Sequence, residues 1–305
     1  MLVGNRQLLI SATAGRYAVG AFNIQNLESL QAVTSAAKEE NSPVIAAVTP
    51  STIEYAGLTY LAKIVRTAAQ LVDIPMSLHL DHGKDIRTIT ECLNVGFTSV
   101  MIDGSHLTIK DNIALTKKVV ELAHAKDVSA EAELGKLSTV EEASIEEKEA
   151  ILTDPEAAKE FVERTNVDAL AVAIGTSHGA YKFRGEPKLD FRRLAEIREK
   201  VDIPLVLHGA SGVPTWITEK ATKHGAQLAG AKGIPDESIR QAISLGIAKI
   251  NIDTDLRLAF TATVREVLAN KPTQFDPRKI LGPARDAMKE IVKIKMRLFG
   301  SSNKA

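Results

Sequence analysis

Short apolar runs recur along the chain, and amphipathic stretches separate them. The runs are rich in Val, Ile and Ala and predict eight strands, at 18–24, 43–49, 76–82, 99–105, 128–134, 169–177, 204–208 and 247–253. Most of them are apolar at successive positions, which is typical of strands that are buried on both faces of a parallel sheet. Between them, stripes such as Leu30, Val33 and Ala37 indicate helices with one buried face.

This alternation predicts an α/β fold, a closed (β/α)8 or TIM barrel, with an open doubly wound sheet as the alternative. Eight repeats, and polar residues at nearly all of the strand ends, favour closure. An extra N-terminal helix is predicted over 5–14, and a C-terminal helical extension over about 276–305. The apolar face of this extension comprises Ala284, Ala287, Ile291, Ile294 and Leu298. Its basic residues are Lys289, Lys293, Lys295 and Arg297. Because no clean linker is visible, residues 1–305 are interpreted as a single domain.

Charge and cysteine content exclude several classes of protein. Lys and Arg together number 38, as do Asp and Glu, so the formal net charge is zero. This balance favours neither nucleic acid nor a membrane surface as a partner, and no apolar run is long enough to span a bilayer. Cys92 is the single cysteine. An intrachain disulfide is therefore impossible, and a reducing, cytoplasmic location is expected.

Three histidines stand out because each closes an apolar run and is followed directly by glycine. They are His82 in LHLDHG, His178 in TSHGAYK and His208 in LHGASG. The C-terminal ends of barrel strands meet at one face, so the three imidazoles are expected to converge there. Three neutral imidazoles leave positions open on a zinc-type ion, which is typical of a catalytic site. The other four histidines are interpreted as structural, with His79 as a hydrogen-bonded core residue.

Asp81 directly precedes His82, so the two side chains leave opposite sides of a regular strand. Gly83 permits a turn that would bring both to the same side. Asp81 is then a candidate general acid or base, and a partner that orients a histidine is the alternative.

Glycine-bearing strand ends indicate anion binding. They are HGAYK (178–182), HGASG (208–212) and NIDT (251–254). Glycine lets backbone N–H groups approach a phosphate, to which Lys182 adds a charge and Ser211 and Thr254 add hydroxyl groups. The ends of strands seven and eight of such a barrel form a frequent phosphate site.

The segment 137–150 is long, polar and acidic for a loop after a strand. Loops of this length often act as lids. Most of its glutamates are expected to be solvated surface residues, but one carboxylate closing over the mouth could move a proton.

The chain as a whole resembles the class II, metal-dependent fructose-1,6-bisphosphate aldolase family, which includes the tagatose-bisphosphate aldolases. Eight motifs follow one another in family order: GAFNIQN, LHLDHG, SVMIDGSH, EAELG, TSHGAYK, LHGASG, AKINIDTDLR and DPRKILGPARDAM. Their combination is far more specific than any one of them. The resemblance implies reversible cleavage of fructose 1,6-bisphosphate to dihydroxyacetone phosphate and glyceraldehyde 3-phosphate through a metal-stabilised enediolate. Tagatose 1,6-bisphosphate is the alternative substrate.

The resemblance also implies a catalytic zinc, or cobalt, on the three strand-end histidines. Asp81 would exchange a proton with the hydroxyl group whose deprotonation breaks the carbon–carbon bond. Glu142 or, as the alternative, Glu141 would handle the proton on the dihydroxyacetone phosphate carbon. Asp103 and the pair Glu131 and Glu133 match acidic positions that bind or orient a second metal.

The resemblance further implies a set of substrate-binding residues: Asn23, Ser51, Gly179, Lys182, Gly209, Ser211, Asn251, Asp253, Thr254 and Arg278. A monovalent cation (sodium, potassium or ammonium) is expected near the phosphate loops. Arg278 would reach the active site of a neighbouring subunit in a homo-oligomer, a dimer or a tetramer.

Three other functions fit parts of the pattern. A Schiff-base aldolase would need a reactive lysine such as Lys249 or Lys182, and the histidine triplet argues against it. A metal-dependent hydrolase leaves the paired phosphate signals unexplained. A non-catalytic sugar-phosphate binder leaves the strand-end Asp81 and histidines unexplained.

Overall fold

All eight predicted strands are present and close into a parallel barrel. The computed structural model describes residues 1–135, 138–139, 152–178, 189–212, 214–227 and 233–305. Its strands are β1 (Val19–Asn23), β2 (Val44–Val48), β3 (Met76–Gly83), β4 (Ser99–Ile102), β5 (Ser129–Leu134), β6 (Ser138–Thr139), β7 (Ala169–Val172), β8 (Ser177–His178), β9 (Leu205–Leu207) and β10 (Ile247–Ile252). The barrel order is β1-β10-β9-β7-β5-β4-β3-β2, and β6 pairs separately with β8. The predicted (β/α)8 barrel is confirmed.

Helices follow the strands and cover the barrel. They are α1 (Asn5–Gly15), α2 (Leu27–Glu39), α3 (Pro50–Ala56), α4 (Leu58–Gln70), α5 (Ile86–Val95), α6 (Ile109–His124), α7 (Pro155–Thr165), α8 (Phe191–Lys200), α9 (Thr215–Lys223), α10 (Asp236–Ser244), α11 (Thr254–Asn270) and α12 (Pro277–Phe299). Most begin with a side-chain cap, as where Asn26 accepts from the backbone of Ser29. None of the helices in the described ranges combines the length and apolar character that a bilayer crossing demands.

The lower half of the barrel interior is filled by apolar side chains, many of them alanine, and closed by the N-terminal helix. Ala21, Ala47 and Ala171 are buried inside the barrel, and Leu9 and Ala12 of α1 pack with them. The extra N-terminal helix predicted from the sequence therefore acts as the floor beneath the upper, polar half of the barrel.

One predicted strand is shorter than its apolar run. The run 169–177 was predicted as a single strand, but β7 ends at Val172 and β8 begins at Ser177. Gly175 lies between them with φ of 105°, a backbone conformation that other residues avoid. The turn directs the chain out of the barrel sheet, so that Ser177 and His178 pair with β6 instead.

The buried face of the C-terminal helix only partly matches the one that the sequence predicted. Ile294, expected on the apolar face, is 40% exposed, whereas Lys295, expected on the basic surface, is buried. Ala284 and Ile291 of the expected face are buried, and they are joined by Met288, Val292, Lys295, Met296 and Phe299. The basic residues Lys289 and Lys293 instead pair with Glu39 at the end of α2.

Cys92 is expected to resist thiol reagents while the protein is folded. Its side chain is buried within α5, and burial raises the pKa of its thiol to about 12. Since the thiolate is the reactive species, native protein at pH 8 should show negligible labelling by a disulfide-exchange reagent. Protein unfolded in guanidinium chloride should label at one thiol per chain, which provides the control. Rapid labelling of the native protein would contradict this placement.

Candidate metal centre and substrate site

Strand alternation brings polar residues from several strands into the upper half of the barrel. Alternate residues of a strand point to the same side. The inward-facing, buried polar residues are His79 and Asp81 of β3, Glu131 and Glu133 of β5, and Lys249 and Asn251 of β10. His208, immediately after β9, joins them. The interior therefore becomes polar toward the C-terminal ends of the strands.

His82 reaches the same side as Asp81 because the backbone turns at His82 itself. Its φ is 51°, and the pairing of β3 with β4 shifts register between Leu80 and Gly83. The turn was expected at Gly83 and instead occurs one residue earlier. Gly83 is needed for close packing instead, since a Cβ there would lie 2.6 Å from the backbone oxygen of Met101.

The two imidazoles converge, and a carboxylate braces each of them. His82 Nε2 lies 2.9 Å from His208 Nδ1. On the far side of each ring, His82 Nδ1 lies 2.9 Å from Asp103 Oδ2, and His208 Nε2 lies 3.1 Å from Glu131 Oε1. Carboxylates in these positions fix the orientation of metal-binding histidines. Each ring thus turns one nitrogen toward the other ring.

This arrangement fits a divalent metal ion. Ligand atoms of Asp81, His82 and His208 all lie within 4.8 Å of one another, and so do those of His82, Asp103 and Glu133. Two nitrogens on a tetrahedral zinc ion lie about 3.3 Å apart, because each Zn–N bond is about 2.0–2.1 Å long. The observed 2.9 Å separation is within a small ring movement of that value.

One hydrogen bond joins the two facing nitrogens. Burial alone would lower the pKa of His82, but the charges of Asp81, Glu133 and Asp103 and the hydrogen bond to Asp103 outweigh burial and raise that pKa to about 10. Burial lowers the pKa of His208. His82 therefore carries the proton and donates to neutral His208. Because a metal ion needs a neutral imidazole, metal binding displaces this proton.

Glu133 is the least satisfied carboxyl group of the cluster. Burial, together with the neighbouring charges of Asp103, Asp81 and Glu131, raises its pKa to about 8, against the opposing effect of His82. Its Oε2 has no hydrogen-bond partner within the described ranges. A buried carboxyl oxygen that lacks a hydrogen-bond donor is a suitable ligand for a cation.

Asp81 is held from two sides by amide groups. Asn23 Nδ2 donates to Asp81 Oδ2 at 2.9 Å, and Asn251 Nδ2 donates to Asp81 Oδ1 at 2.8 Å. Burial would raise the pKa of Asp81, but the positive charges of His82 and Lys249 hold it well below its usual range. The carboxylate is therefore ionised and fixed beside the two imidazoles.

A buried ion pair lies beneath the histidines. Lys249 Nζ donates to both oxygens of Glu131, at 2.7 and 2.8 Å, and both side chains are at most 1% exposed. His79 Nε2 lies 3.2 Å from the same ammonium. Burial lowers the pKa of His79 to about 3, so the ring is neutral and accepts there, while its Nδ1 lies 2.8 Å from Ser99 Oγ. His79 is a hydrogen-bonded core residue, as predicted.

This ion pair bears on the Schiff-base alternative. An ammonium buried against a carboxylate is unavailable as a nucleophile for a substrate carbonyl. Sequence reasoning recorded Lys249 only as a candidate for that chemistry and missed the pair. The signal was present in the alternation of AKINID, which sets Lys249 on the same strand face as Asn251.

The expected phosphate residues lie at the ends of two adjacent strands. Gly209 has φ of 64°, and Ser211 is buried in the same loop after β9. Asp253 precedes α11, which begins at Thr254 and runs for 17 residues. A helix of this length presents backbone N–H groups and a positive dipole end to an anion. Asp253 accepts hydrogen bonds from Gln25 and Arg257, which hold the loop end in position.

Two expected site residues lie apart from the cluster. Ser51 is exposed in the first turn of α3, where its Oγ lies 3.0 Å from Thr49 Oγ1. Arg278 is 90% exposed in the first turn of α12 and pairs with Asp276.

Several expected site residues fall outside the described part of the chain. These are Glu141, Glu142, Gly179 and Lys182, together with the side chain of His178. The backbone of His178 is described, and it ends β8.

The fold and the site together define a barrel enzyme with a candidate metal centre at the C-terminal ends of its strands. The model of the family described as fructose-bisphosphate aldolase class-II matches residues 3–229 and 227–304. A fructose-bisphosphate aldolase of Thermus caldophilus is 53% identical to this chain over the full length of both. One from Helicobacter pylori is 47% identical, also over the full length of both.

Solved structures agree with these sequence relatives. The YdjI aldolase of Escherichia coli K12 superposes with a TM-score of 0.82 at 35% identity and covers both chains completely. A putative fructose-1,6-bisphosphate aldolase of Coccidioides immitis superposes with a TM-score of 0.81 at 30% identity, covering 98% of this chain and 96% of that one. The chain belongs to the class II fructose-bisphosphate aldolase family. This confirms the resemblance, and family membership implies a divalent metal and a sugar bisphosphate substrate.

Proposed function

We propose that this chain cleaves fructose 1,6-bisphosphate reversibly into dihydroxyacetone phosphate and glyceraldehyde 3-phosphate, with zinc, or cobalt, on His82, His178 and His208. The observation that carries the proposal is the approach of His82 Nε2 to His208 Nδ1, 2.9 Å apart beside an ionised Asp81. The metal, when bound, supplies positive charge that stabilises the oxygen on which negative charge develops during cleavage.

Asp81 is proposed as the group that takes the proton from the hydroxyl of the substrate as the carbon–carbon bond breaks. In the reverse direction it returns that proton. Its two amide partners, Asn23 and Asn251, fix the carboxylate without neutralising it. Asn251 Oδ1, for which the described chain offers no hydrogen-bond partner, suits a hydroxyl of the dihydroxyacetone half. Glu142, with Glu141 as the alternative, is proposed to protonate the carbon released from the bond.

Asp103 and Glu131 are proposed to act on the metal through the histidines that they brace. Their hydrogen bonds to His82 Nδ1 and His208 Nε2 support this role. Glu133, whose Oε2 has no hydrogen-bond partner among the described residues, is the stronger candidate to contact a second ion together with Asp103.

Substrate phosphates are proposed to bind at the glycine-bearing strand ends. One phosphate would contact Gly179, Lys182, Gly209, Ser211, Asp253 and Thr254, with a monovalent cation nearby. The positive end of α11 supports an anion at Thr254. Ser51 is proposed to assist from the first turn of α3.

Arg278 is proposed to bind the far phosphate in a neighbouring subunit of a dimer or tetramer. Arg285 lies near Gln31, and Arg297 pairs with Glu40, so α12 runs beside α2 in the same direction, away from the mouth. Arg278 precedes Arg285 by two helical turns, about 10 Å. It therefore lies near the end of the barrel at which the C-terminal ends of the strands meet, and it is exposed to a neighbouring chain. A cytoplasmic location, expected from the single cysteine, belongs to the same proposal.

The test is to incubate metal-reconstituted protein with fructose 1,6-bisphosphate and, separately, with tagatose 1,6-bisphosphate. We expect the triose phosphates as products, with kcat/KM higher for the fructose substrate by about tenfold or more. Fructose is favoured because the two curated relatives named above are fructose-bisphosphate aldolases.

Faster cleavage of tagatose 1,6-bisphosphate would reverse the substrate assignment. Release of inorganic phosphate without triose phosphates would instead favour the hydrolase. Binding of the sugar without turnover in the presence of zinc would favour the non-catalytic binder.

A further inference from the structure

A second buried ion pair, separate from the residues of the candidate metal centre, joins the C-terminal helix to the barrel. Lys295 Nζ of α12 lies 3.0 Å from Asp255 Oδ2 in the first turn of α11, and the two side chains are 3% and 0% exposed. The backbone N–H of Gly212, in the loop after β9, donates to the same oxygen at 3.1 Å. Burying two charges is costly unless their geometry and hydrogen bonds compensate. Three segments distant in sequence thus meet at one carboxylate oxygen.

The packing around this pair leaves no spare room. A Cβ at Gly212 would lie 2.7 Å from Lys295 Nζ, and one at Gly233 would lie 2.2 Å from the carbonyl carbon of Gly212. On the other side, Ile234 donates its backbone N–H to the oxygen of Ser211 at 3.1 Å. The loop that carries Ser211 is therefore wedged between the ammonium of Lys295 and the backbone at 233–234.

The ion pair between Lys295 and Asp255 lies directly beside two residues that are proposed to bind the substrate phosphate. Gly212 follows Ser211, and Asp255 follows Thr254. Asp255 accepts the N–H of Gly212, so it links the loop after β9 to the start of α11 across the gap between two strand ends. The spacing between Ser211 and Thr254 then depends on where Asp255 is held, and Lys295 holds it.

We propose that Lys295 is a positioning residue for the phosphate site, which, through Asp255, holds the loop after β9 and the first turn of α11 at the spacing that a phosphate group requires. The inference rests on the proposed function, because that function assigns the phosphate to these two strand ends. By this inference, the C-terminal helix supports the phosphate-binding loops from below without contacting the substrate.

The test measures binding of dihydroxyacetone phosphate to zinc-loaded protein by calorimetry. Lys295→Met is expected to raise the Kd on the order of tenfold, the effect of losing one hydrogen bond to a charged group. In cleavage assays KM should rise while kcat changes little, and zinc affinity should remain at the wild-type value. The matched control is Lys293→Met, which removes the ammonium that pairs with Glu39 on the surface of the same helix. It should leave the Kd, KM, kcat and zinc affinity unchanged.

A second variant separates positioning from charge and guards against misfolding of the first. Lys295→Arg keeps the positive charge, but its guanidinium is too large for the space beside Gly212 and should push the loop. We expect the Kd for dihydroxyacetone phosphate to rise several-fold, on the order of the loss in Lys295→Met. Wild-type affinity in Lys295→Arg would overturn the inference.

The outcomes distinguish this inference from the proposed function. A lower Tm with unchanged Kd and KM in both Lys295 variants would mean a structural role only and would overturn the inference alone. If the wild-type, zinc-loaded protein neither binds dihydroxyacetone phosphate nor cleaves fructose 1,6-bisphosphate, the proposed function fails and the inference fails with it.

Discussion

A His208→Ala variant is expected to bind zinc roughly 10²–10³-fold more weakly than the wild type, and to lose cleavage of fructose 1,6-bisphosphate at ordinary zinc concentrations. A fully coordinated zinc site is worth about 10–16 kcal/mol, so one imidazole contributes about 3–4 kcal/mol. The variant should remain folded, because Glu131 keeps both hydrogen bonds from Lys249. Titration against a competing chelator measures the zinc affinity, and a thermal melt by circular dichroism shows whether the variant is folded.

His124→Ala is the matched control, since His124 pairs with Asp168 at the end of α6, away from the cluster. It should bind zinc like the wild type. Chelation should abolish wild-type cleavage, and zinc or cobalt should restore it, but neither ion at ordinary concentration should rescue His208→Ala. Unchanged zinc affinity in His208→Ala would remove this residue from the metal site.

An Asp81→Asn variant is expected to bind zinc normally and yet cleave substrate about 10²–10⁴-fold more slowly, the usual contribution of a positioned acid or base. The substitution is nearly isosteric. An amide at position 81 can still accept from Asn23, and it can donate to Asn251 Oδ1 once the Asn251 amide, which now donates its Nδ2 to Asp81, rotates by half a turn. The loss should therefore reflect proton transfer, and it should persist at saturating zinc.

Asp103→Asn serves as the control, because it should lower the zinc affinity while leaving the proton-transfer group in place. It weakens the carboxylate brace on His82 Nδ1, which should reduce zinc affinity about 10–100-fold. Excess zinc should restore most of its cleavage activity. If Asp81→Asn lost zinc affinity to the same degree as Asp103→Asn, Asp81 would be a metal ligand instead of the proton-transfer group.

The fold was predictable because its strands are short, mostly apolar runs that are buried on both faces. The run 43–49 contains β2 (Val44–Val48), and 247–253 contains β10 (Ile247–Ile252). Such runs report burial directly. The run 169–177 was misleading, since apolar content does not reveal that Gly175 takes a positive φ and takes the chain out of the sheet.

The convergence of His82 and His208 was predictable, but the way in which His82 arrives was not. Period-two alternation places Asp81 inside the barrel and His82 outside it. The left-handed backbone at His82 reverses this, and such a conformation costs roughly 1–2 kcal/mol outside glycine. Nothing in the local sequence reveals that surrounding contacts offset that cost.

The Lys295 pair was missed for a different reason. Lysine near the end of a helix usually faces solvent, so Lys295 was counted with Lys289 and Lys293. The apolar spacing of Ile291, Val292, Met296 and Phe299 would have shown that Lys295 shares their face. A charged residue inside an apolar stripe needs a buried partner, and only the tertiary structure identifies it as Asp255.

The ion pair between Lys249 and Glu131 is complete without a metal ion. Its two charges cancel within the barrel interior, so the chain can collapse around them before any ion arrives. Synthesis under metal starvation should thus accumulate a dormant, correctly folded pool. Such a pool could be activated later by whichever suitable ion the cell releases.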